Sequence, residues 1–295
     1  MDILLAEYAS VMMPNLAAEG HAMLHTLKKG FQNCGHSVHV PLPKKGDEGS
    51  FYTQVERLAQ MCDAGLVIAP DNLLYELTAL IEQHTTNLGC PAEAVKKAAD
   101  KLIASMVLSR GSLTVPEINP PTGPYISKPR SGCGTEGIHI IETLEPDGMD
   151  EGTLVSKFVS GDHISVSLVV GRTVLPLSIN KQHIRIDTTI QYLGNTTPYS
   201  VPNASDVIDQ ASRAVQLLGC KGYVGVDIVL QPDAIANIVD VNPRPTTAIV
   251  SIDKVISNVA DLILKARLGK KLPALIKPHG IHTFLTTNCG SNHTP

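Results

Sequence analysis

The stretch from Gly222 to Thr247, GYVGVDIVLQPDAIANIVDVNPRPTT, constrains the fold more than any other part of the chain. It holds two β-branched runs, Tyr223 to Leu230 and Ile235 to Val241, parted by Gln-Pro-Asp-Ala, where proline presets one dihedral and aspartate supports the bend. That pattern predicts a β-hairpin. With the turn centred between Asp233 and Ala234, Asp227 and Asp240 stand directly opposite each other and share a face. The period of two adds the amide of Asn242 to the same face. Two carboxylates opposed across a strand pair repel unless a cation lies between them, and the all-oxygen set Asp, Asp and Asn suits Mg²⁺ or Mn²⁺. Magnesium takes its remaining ligands from water and substrate phosphates, so the set points on to a nucleotide. The plainer alternative is a solvated sheet face, against which two acids inside otherwise apolar strands weigh.

A chain of 295 residues can build several closely packed subdomains, and 43% hydrophobic with 18% charged residues is ordinary for a globular protein. The formal net charge of -4, with no basic cluster interleaved with aromatics, argues against a nucleic-acid partner. No apolar run approaches a membrane span, and the acid at position 2 without a basic leader argues against a signal peptide. Cys34, Cys62, Cys90, Cys133, Cys220 and Cys289 are scattered with no C-x-x-C pair, which indicates neither zinc nor redox chemistry and suits a reducing cytoplasm. Cys133 reads as a small residue tolerated in a tight loop.

The N-terminal third alternates. Ile3 to Ala6 is a short apolar strand, and Ala17 to Gln32 carries Met23, Leu24, Leu27 and Phe31 at helical spacing. A strand over Ser37 to Pro41, a helix over Tyr52 to Cys62, a buried strand over Gly65 to Ala69 and a helix over Leu73 to His84 follow. This βαβαβα order predicts a small, mainly parallel, doubly wound sheet, without a G-x-G-x-x-G dinucleotide fingerprint. Pro91 to Arg110 reads as helical, and the connector Asn119 to Pro124 opens a strand over Tyr125 to Lys128. That strand runs into Lys128-Pro129-Arg130-Ser131-Gly132-Cys133-Gly134-Thr135-Glu136-Gly137, whose glycines let backbone N–H groups converge on an anion. A phosphate cradle and a plain glycine-rich hairpin account for it equally. Leu154 to Val159 is extended, Asp162 to Val170 alternates, and Val174 to Ile186 carries Asn180, Lys181, Gln182, His183 and Arg185. His183 and Arg185, taken singly, read as residues on the wet face of an antiparallel sheet. Asn203 is expected to cap a helix over Ala204 to Leu218. A single helix over Ser251 to Leu268 follows the hairpin, and a last strand, Ile281 to Thr286, precedes a polar tail expected to fray.

Asp100-Lys101, Lys128-Pro129 with its glycine loop, Phe158-Val159-Ser160-Gly161-Asp162, Gly225-Val226-Asp227 and Asp240-Val241-Asn242-Pro243-Arg244 follow one another in an order that resembles the ATP-grasp superfamily. The resemblance implies an α/β and α+β chain with the ATP-grasp fold: an N-terminal doubly wound parallel domain at 1–94, a small central subdomain at 95–160, a C-terminal antiparallel-sheet subdomain at 161–287, and a tail at 288–295. It also implies ATP held between the two later subdomains. Lys101 and Lys128 would contact the phosphates, and the loop with Ser131, Gly132 and Gly134 would close over them. Backbone at Lys157, Phe158 and Val159 would read adenine, Asp162 would hold the ribose, and Asp227, Asp240 and Asn242 would hold Mg²⁺ or Mn²⁺. Many members carry an acid at the adenine hinge, where this chain has Ser156-Lys157.

Glu7-Tyr8-Ala9, Glu19-Gly20-His21-Ala22-Met23-Leu24 and Asn242-Pro243-Arg244-Pro245-Thr246-Thr247 are similar to the archaeal-type ATP-grasp group that includes tyramine-glutamate ligase of methanofuran biosynthesis. That similarity implies a carboxylate, such as glutamate, joined to an amine, such as tyramine, through an acyl phosphate, with ADP and phosphate released. Arg244 is the candidate catalytic residue, because its bidentate fork suits a carboxylate or phosphoryl group; an ion pair fixing the loop is its plainer reading. The expected partners are a small-molecule acid and amine, with no nucleic acid and no membrane, and a homodimer is left open. The rival functions are a nucleotide-binding regulatory protein and a phosphotransferase.

Overall fold

Strands that read as unbroken apolar runs belong in sheets covered on both faces. The computed structural model, which describes residues 1–44, 46–132, 137–143, 151–187 and 189–286, opens with such a sheet. Its elements are β1 (Asp2–Glu7), α1 (Ala9–Met12), α2 (Ala17–Asn33), β2 (Ser37–His39), α3 (Glu48–Ala59), β3 (Ala64–Ile68), α4 (Asp71–His84) and β4 (Thr86–Asn87). The four strands are parallel in the order β2-β1-β3-β4. Leu4 and Ala6 bury on one face with Phe51, Val55, Leu74 and Leu77 of α3 and α4. Ile3 and Leu5 bury on the other with Met23, Leu27 and Phe31 of α2, so the sheet is doubly wound as expected.

The helical stretch expected over Pro91 to Arg110 is two helices, α5 (Ala92–Ala98) and α6 (Lys101–Arg110). The break falls where Asp100 leaves the helical conformation and accepts from the amides of Leu102 and Ile103 at 3.0 and 3.2 Å, an aspartate N-cap. After the connector come β5 (Tyr125–Pro129), β6 (His139–Ile141) and β7 (Thr153–Lys157), an antiparallel sheet in the order β6-β5-β7. The amide of Lys101 donates to the Arg130 carbonyl at 3.0 Å, and the Arg130 guanidinium reaches Asp100 at 2.6 Å, so the start of α6 is pinned to the end of β5.

The remaining elements are β8 (Asp162–Val170), β9 (Val174–Ile186), β10 (Ile190–Thr197), α7 (Ala204–Leu217), β11 (Gly222–Leu230), β12 (Ala236–Asn242), α8 (Ala248–Val255), α9 (Val259–Arg267) and β13 (His282–Leu285). The six strands form one antiparallel sheet in the order β12-β11-β8-β9-β10-β13. Ile164, Val166, Leu168, Val224, Val226 and Ile228 bury against α7 in the same core that holds α3 and α4. Residues of α8 and α9 share the second core with α2. The parallel and antiparallel sheets are therefore joined through common apolar cores.

Two local expectations are corrected, and one strand is an addition. The helix expected over Ser251 to Leu268 is broken: Asn258 sits at φ 62°, a left-handed conformation asparagine tolerates, and the amide of His279 takes the Val255 carbonyl at 2.7 Å. Asn203 does not cap α7 through its side chain; it too is left-handed, at φ 52°, and its carbonyl receives the amides of Asp206 and Val207. Strand β10 was not foreseen, because its sequence, IQYLGNTT, carries glycine and polar residues in place of an apolar alternation. The expected tail from Asn288 to Pro295 lies outside the described residues.

Gly222 begins β11 at φ 70°, and a Cβ there would stand 2.6 Å from the Leu88 carbonyl oxygen, which belongs to backbone just past the parallel sheet. Gly222→Ala combines left-handed strain with a backbone clash and should destabilise the fold by about 2–4 kcal/mol. Urea denaturation of wild type and variant measures it.

Candidate active site

The hairpin of β11 and β12 opposes Asp227 and Asp240, as expected, but for a different reason. Its tip is tighter than the assumed turn: Leu230 pairs Ala236, Val229 pairs Asn237 and Ile228 pairs Ile238, so the centre falls on Asp233. Ala234 takes φ 65° to close it. The register then shifts by one residue, and Val239 is the extra residue of a β-bulge. In an unbroken register Asp227 would face Val239, and Asp240 would share the core side with Ile238 and Ile228. The bulge returns Asp240 to the side of Asp227. It also frees the Val239 carbonyl, which accepts from Lys128 Nζ at 2.8 Å across from β5.

Asp227 is held by two amides: Gln182 Nε2 donates to Oδ1 at 2.9 Å and Asn242 Nδ2 to Oδ2 at 3.0 Å. Burial, reinforced by the Asp240 charge, pushes Asp227 up to about 7 despite those bonds. Lys128 is lowered by burial, against the pull of Asp240. Lys101, with a side chain 8% exposed, lies 3.0 Å from Asp71 Oδ2 and 3.9 Å from Asp240 Oδ2, and donates to the Gly132 carbonyl at 3.1 Å. Burial works to lower its pKa, but Asp240 and Asp71 outweigh it and hold the ammonium charged. Behind Lys101, Asp71 Oδ1 stands 3.8 Å from Arg244 Nε, and neither atom has a hydrogen-bond partner among the described residues.

These groups, Asp71 apart, surround a cavity of about 800 Å³. Of the expected site residues, Lys101, Lys128, Gly132, Asp227, Asp240, Asn242 and Arg244 line it, with Lys157, Phe158 and Val159 at the hinge. Strand β12 ends at Asn242, so Arg244 stands in the following loop and not on a strand face, yet it reaches the same cavity. The amides of Lys157 and Phe158 already donate to the Glu117 and Pro124 carbonyls at 2.8 and 3.0 Å, so those two donors do not read a ligand. Ser131 is exposed and not among the lining residues. Asp162 also stands outside the lining, its carboxylate taken by Lys181 and by the Tyr199 hydroxyl, the latter at 2.8 Å. Gly134 lies outside the described residues. His183 bonds Thr196 at 2.9 Å and Arg185 is exposed.

Four residues went unforeseen: Asp71, Gln182, Glu19 and Tyr192. Gln182 had a signal, since it lies two residues from Asn180 on one side of β9. Asp71 follows Pro70 as an ordinary first-turn helix acid and carries no signal of its own.

The donor set fits a magnesium-type ion: two opposed carboxylates share a face, one of them pushed up to about 7, and Asn242, whose Nδ2 serves Asp227, has its amide oxygen left to give. No group of three or more His, Cys, Asp or Glu that could hold a metal occurs among the described residues, so the set consists of two carboxylates and one amide oxygen. Asp71→Ala would leave Lys101 and Arg244 without the anion they share, and should cost about 3 kcal/mol of stability. Chemical denaturation checks this, and pairing it with Arg244→Ala in a double-mutant cycle should show coupling.

Comparison with known proteins agrees with this geometry. An ATP-grasp domain model matches residues 98–248, and a pre ATP-grasp 3 domain model matches residues 35–95. The chain is 29% identical over 284 residues to the tyramine--L-glutamate ligase of Methanocaldococcus jannaschii, covering 89% of this chain and 87% of that one. It is 33% identical over 214 residues to the tyramine--L-glutamate ligase of Methanocaldococcus fervens, covering 71% and 68%. The crystal structure of an ATP-grasp superfamily protein from Archaeoglobus fulgidus superposes with a TM-score of 0.74 at 27% identity, over 97% of this chain and 99% of that one. With its domain match, its relatives and its paired carboxylates in one cavity, the chain belongs to the ATP-grasp family.

Proposed function

We propose that the chain joins the carboxylate of an amino acid, glutamate, to the primary amine of tyramine, using ATP and magnesium and releasing ADP and phosphate. The observation that carries this reading is the gathering of Lys101, Lys128, Asp227, Asp240, Asn242 and Arg244 around a single cavity of about 800 Å³. The substrates are those named for the two Methanocaldococcus relatives, and the motif resemblance described above adds a place in methanofuran biosynthesis. Carboxylate–amine ligation is the broader activity of which this pairing is one case.

The chemical demand is to bring two anions together. ATP supplies the phosphoryl group that activates the carboxylate as an acyl phosphate, which the amine then displaces. Lys128 and Lys101 would neutralise phosphate charge, and Asp227, Asp240 and Asn242 would hold the magnesium ion. Gly132 would lie over the phosphates, with the exposed Ser131 beside it. Ile126, Phe158 and Val229 line the cavity and would give the adenine an apolar wall. Asp162 would serve the ribose only by giving up Lys181 or Tyr199. Arg244 would draw the acid to the phosphate it attacks, and Asp71 behind it limits how far the guanidinium can swing.

With the divisions near residues 94 and 160, the nucleotide would lie between the two later units and the acid would enter from the side of the first. No helix of the described residues is long and apolar enough to cross a membrane. A cytoplasmic setting, with ATP at hand, goes with this function.

The test is phosphate release with ATP, Mg²⁺, glutamate and tyramine. Strict dependence on both acid and amine is expected. Release without the amine, or binding of ATP without release, would favour a phosphotransferase or a nucleotide-binding regulator instead. Asp240→Asn should cripple turnover at saturating Mg²⁺ while leaving the fold intact. Arg244→Lys keeps the charge but loses the fork, and should lower kcat far more than it raises the KM for ATP. Lys128→Ala should weaken nucleotide binding by about 1.5–3 kcal/mol in calorimetry.

A further inference from the structure

Four carboxylates among the described residues line the cavity: Glu7, Glu19, Asp227 and Asp240. Three of them are engaged. Glu7 accepts from the amides of Ala9 and Ser10 at 3.0 and 2.7 Å. Asp227 accepts from Gln182 and Asn242, and Asp240 faces Lys101 while accepting from the Val241 amide at 3.0 Å. Glu19 makes no hydrogen bond or ion pair with any described residue.

Glu19 is half-buried, and burial pushes it up to about 7, with the charge of Arg244 pulling it back. It is thus a carboxylate short of a cation. Glu19, Tyr192 and Arg244 all line the cavity, the Tyr192 phenol accepting from Asn195 and Thr247 at 2.8 and 3.1 Å, and Glu19 lies within electrostatic range of both. Met13 and Leu16, a few residues ahead of Glu19, line the same cavity with apolar side chains.

We propose that Glu19 is the receptor for the ammonium group of the acceptor amine, with Tyr192, Met13 and Leu16 walling its apolar body. This rests on the ligase reading above. The triphosphate and the acid are anions, and Lys101, Lys128 and Arg244 are the described cations that would answer them. The amine arrives as a cation, since a primary alkylammonium titrates near the lysine value of about 10.4. It must come to the carbon of a carboxylate drawn to Arg244, and Glu19 is the unpaired counter-charge beside that guanidinium. The α-ammonium of an amino-acid substrate fits less well, because it brings an α-carboxylate one carbon away. With Arg244 given to the reacting carboxylate, no second described cation stands beside Glu19 to receive it.

The experiment compares wild type, Glu19→Gln and Glu19→Asp in steady-state kinetics with ATP, Mg²⁺, glutamate and tyramine. Glu19→Gln keeps the shape and removes the charge. The KM for tyramine should rise roughly 10- to 100-fold, the loss expected for one charge-assisted contact. The KM values for ATP and glutamate should move much less, and Glu19→Asp should recover part of the loss. Hydroxylamine, an acceptor largely uncharged at neutral pH, should be penalised far less than tyramine. A rise in the KM for glutamate in place of tyramine, or an equal rise in all three, overturns the assignment. Calorimetric titration of tyramine into the protein with ATP and Mg²⁺ needs no turnover. Loss of tyramine binding in Glu19→Gln supports the receptor even where the wild type joins no glutamate to tyramine, and unchanged binding overturns it whatever the assay gives.

Discussion

One inserted residue sets the chemistry of the cavity. Val239 is the bulge of β12, and because a strand has a period of two, it decides whether Asp240 joins Asp227 or joins the apolar side with Ile238. A bulge leaves backbone groups out of the ladder, and a buried carbonyl without a partner is costly. Here Lys128 supplies the partner at 2.8 Å from the neighbouring small sheet. The arrangement is reciprocal. A buried ammonium is tolerable only near compensating charge and acceptors, and the bulge provides the acceptor while bringing Asp240 within electrostatic reach. The bulge, the opposed carboxylates and the lysine that spans two sheets therefore stand or fall together.

A second constraint ties the parallel sheet to the same place. Asp71 begins α4, separated from β3 by two residues, and its carboxylate lies between Lys101 and Arg244, which come from α6 and from the loop after β12. Three separate segments meet at one buried anion. Its Oδ1 and the Nε of Arg244 lie 3.8 Å apart without hydrogen-bond partners among the described residues, so the pair attracts without being locked in hydrogen-bonded geometry. An attraction of this kind keeps the guanidinium close to Asp71 without the two parallel hydrogen bonds of a bidentate pair.

Much of this was legible in the chain. The hairpin with its two acids, the alternating N-terminal elements and the ordered run of short motifs led to the correct family and to residues that do line one cavity. What was hidden had physical causes. The bulge at Val239 leaves no composition signal, and the correct pairing followed from a turn placed half a residue too far. Asp162 was read from its motif position, whereas Lys181, nineteen residues on and adjacent only through the pairing of β8 with β9, takes its charge. Asp71 and Glu19 look like ordinary first-turn helix acids. Their significance comes from which groups the fold brings beside them, and neighbours far apart in sequence cannot be counted from a string.

The Glu19-Gly20 pair shows how backbone and charge cooperate where α2 meets the cavity. Glu7, at the end of β1, is buried and turns its carboxylate onto the amides of Ala9 and Ser10, which fixes the chain as it enters α1. A Cβ on residue 20 would fall 2.7 Å from both oxygens of that carboxylate and 2.7 Å from the Ser10 amide, so only glycine lets α2 lie this close to β1. The next side chain back along the helix is Glu19. Close approach at position 20 is thus what carries a carboxylate from the parallel domain to the rim of a cavity whose cations come from elsewhere. A bulkier residue there would have to push α2 outward, and the charge at position 19 would move away from Arg244 with it.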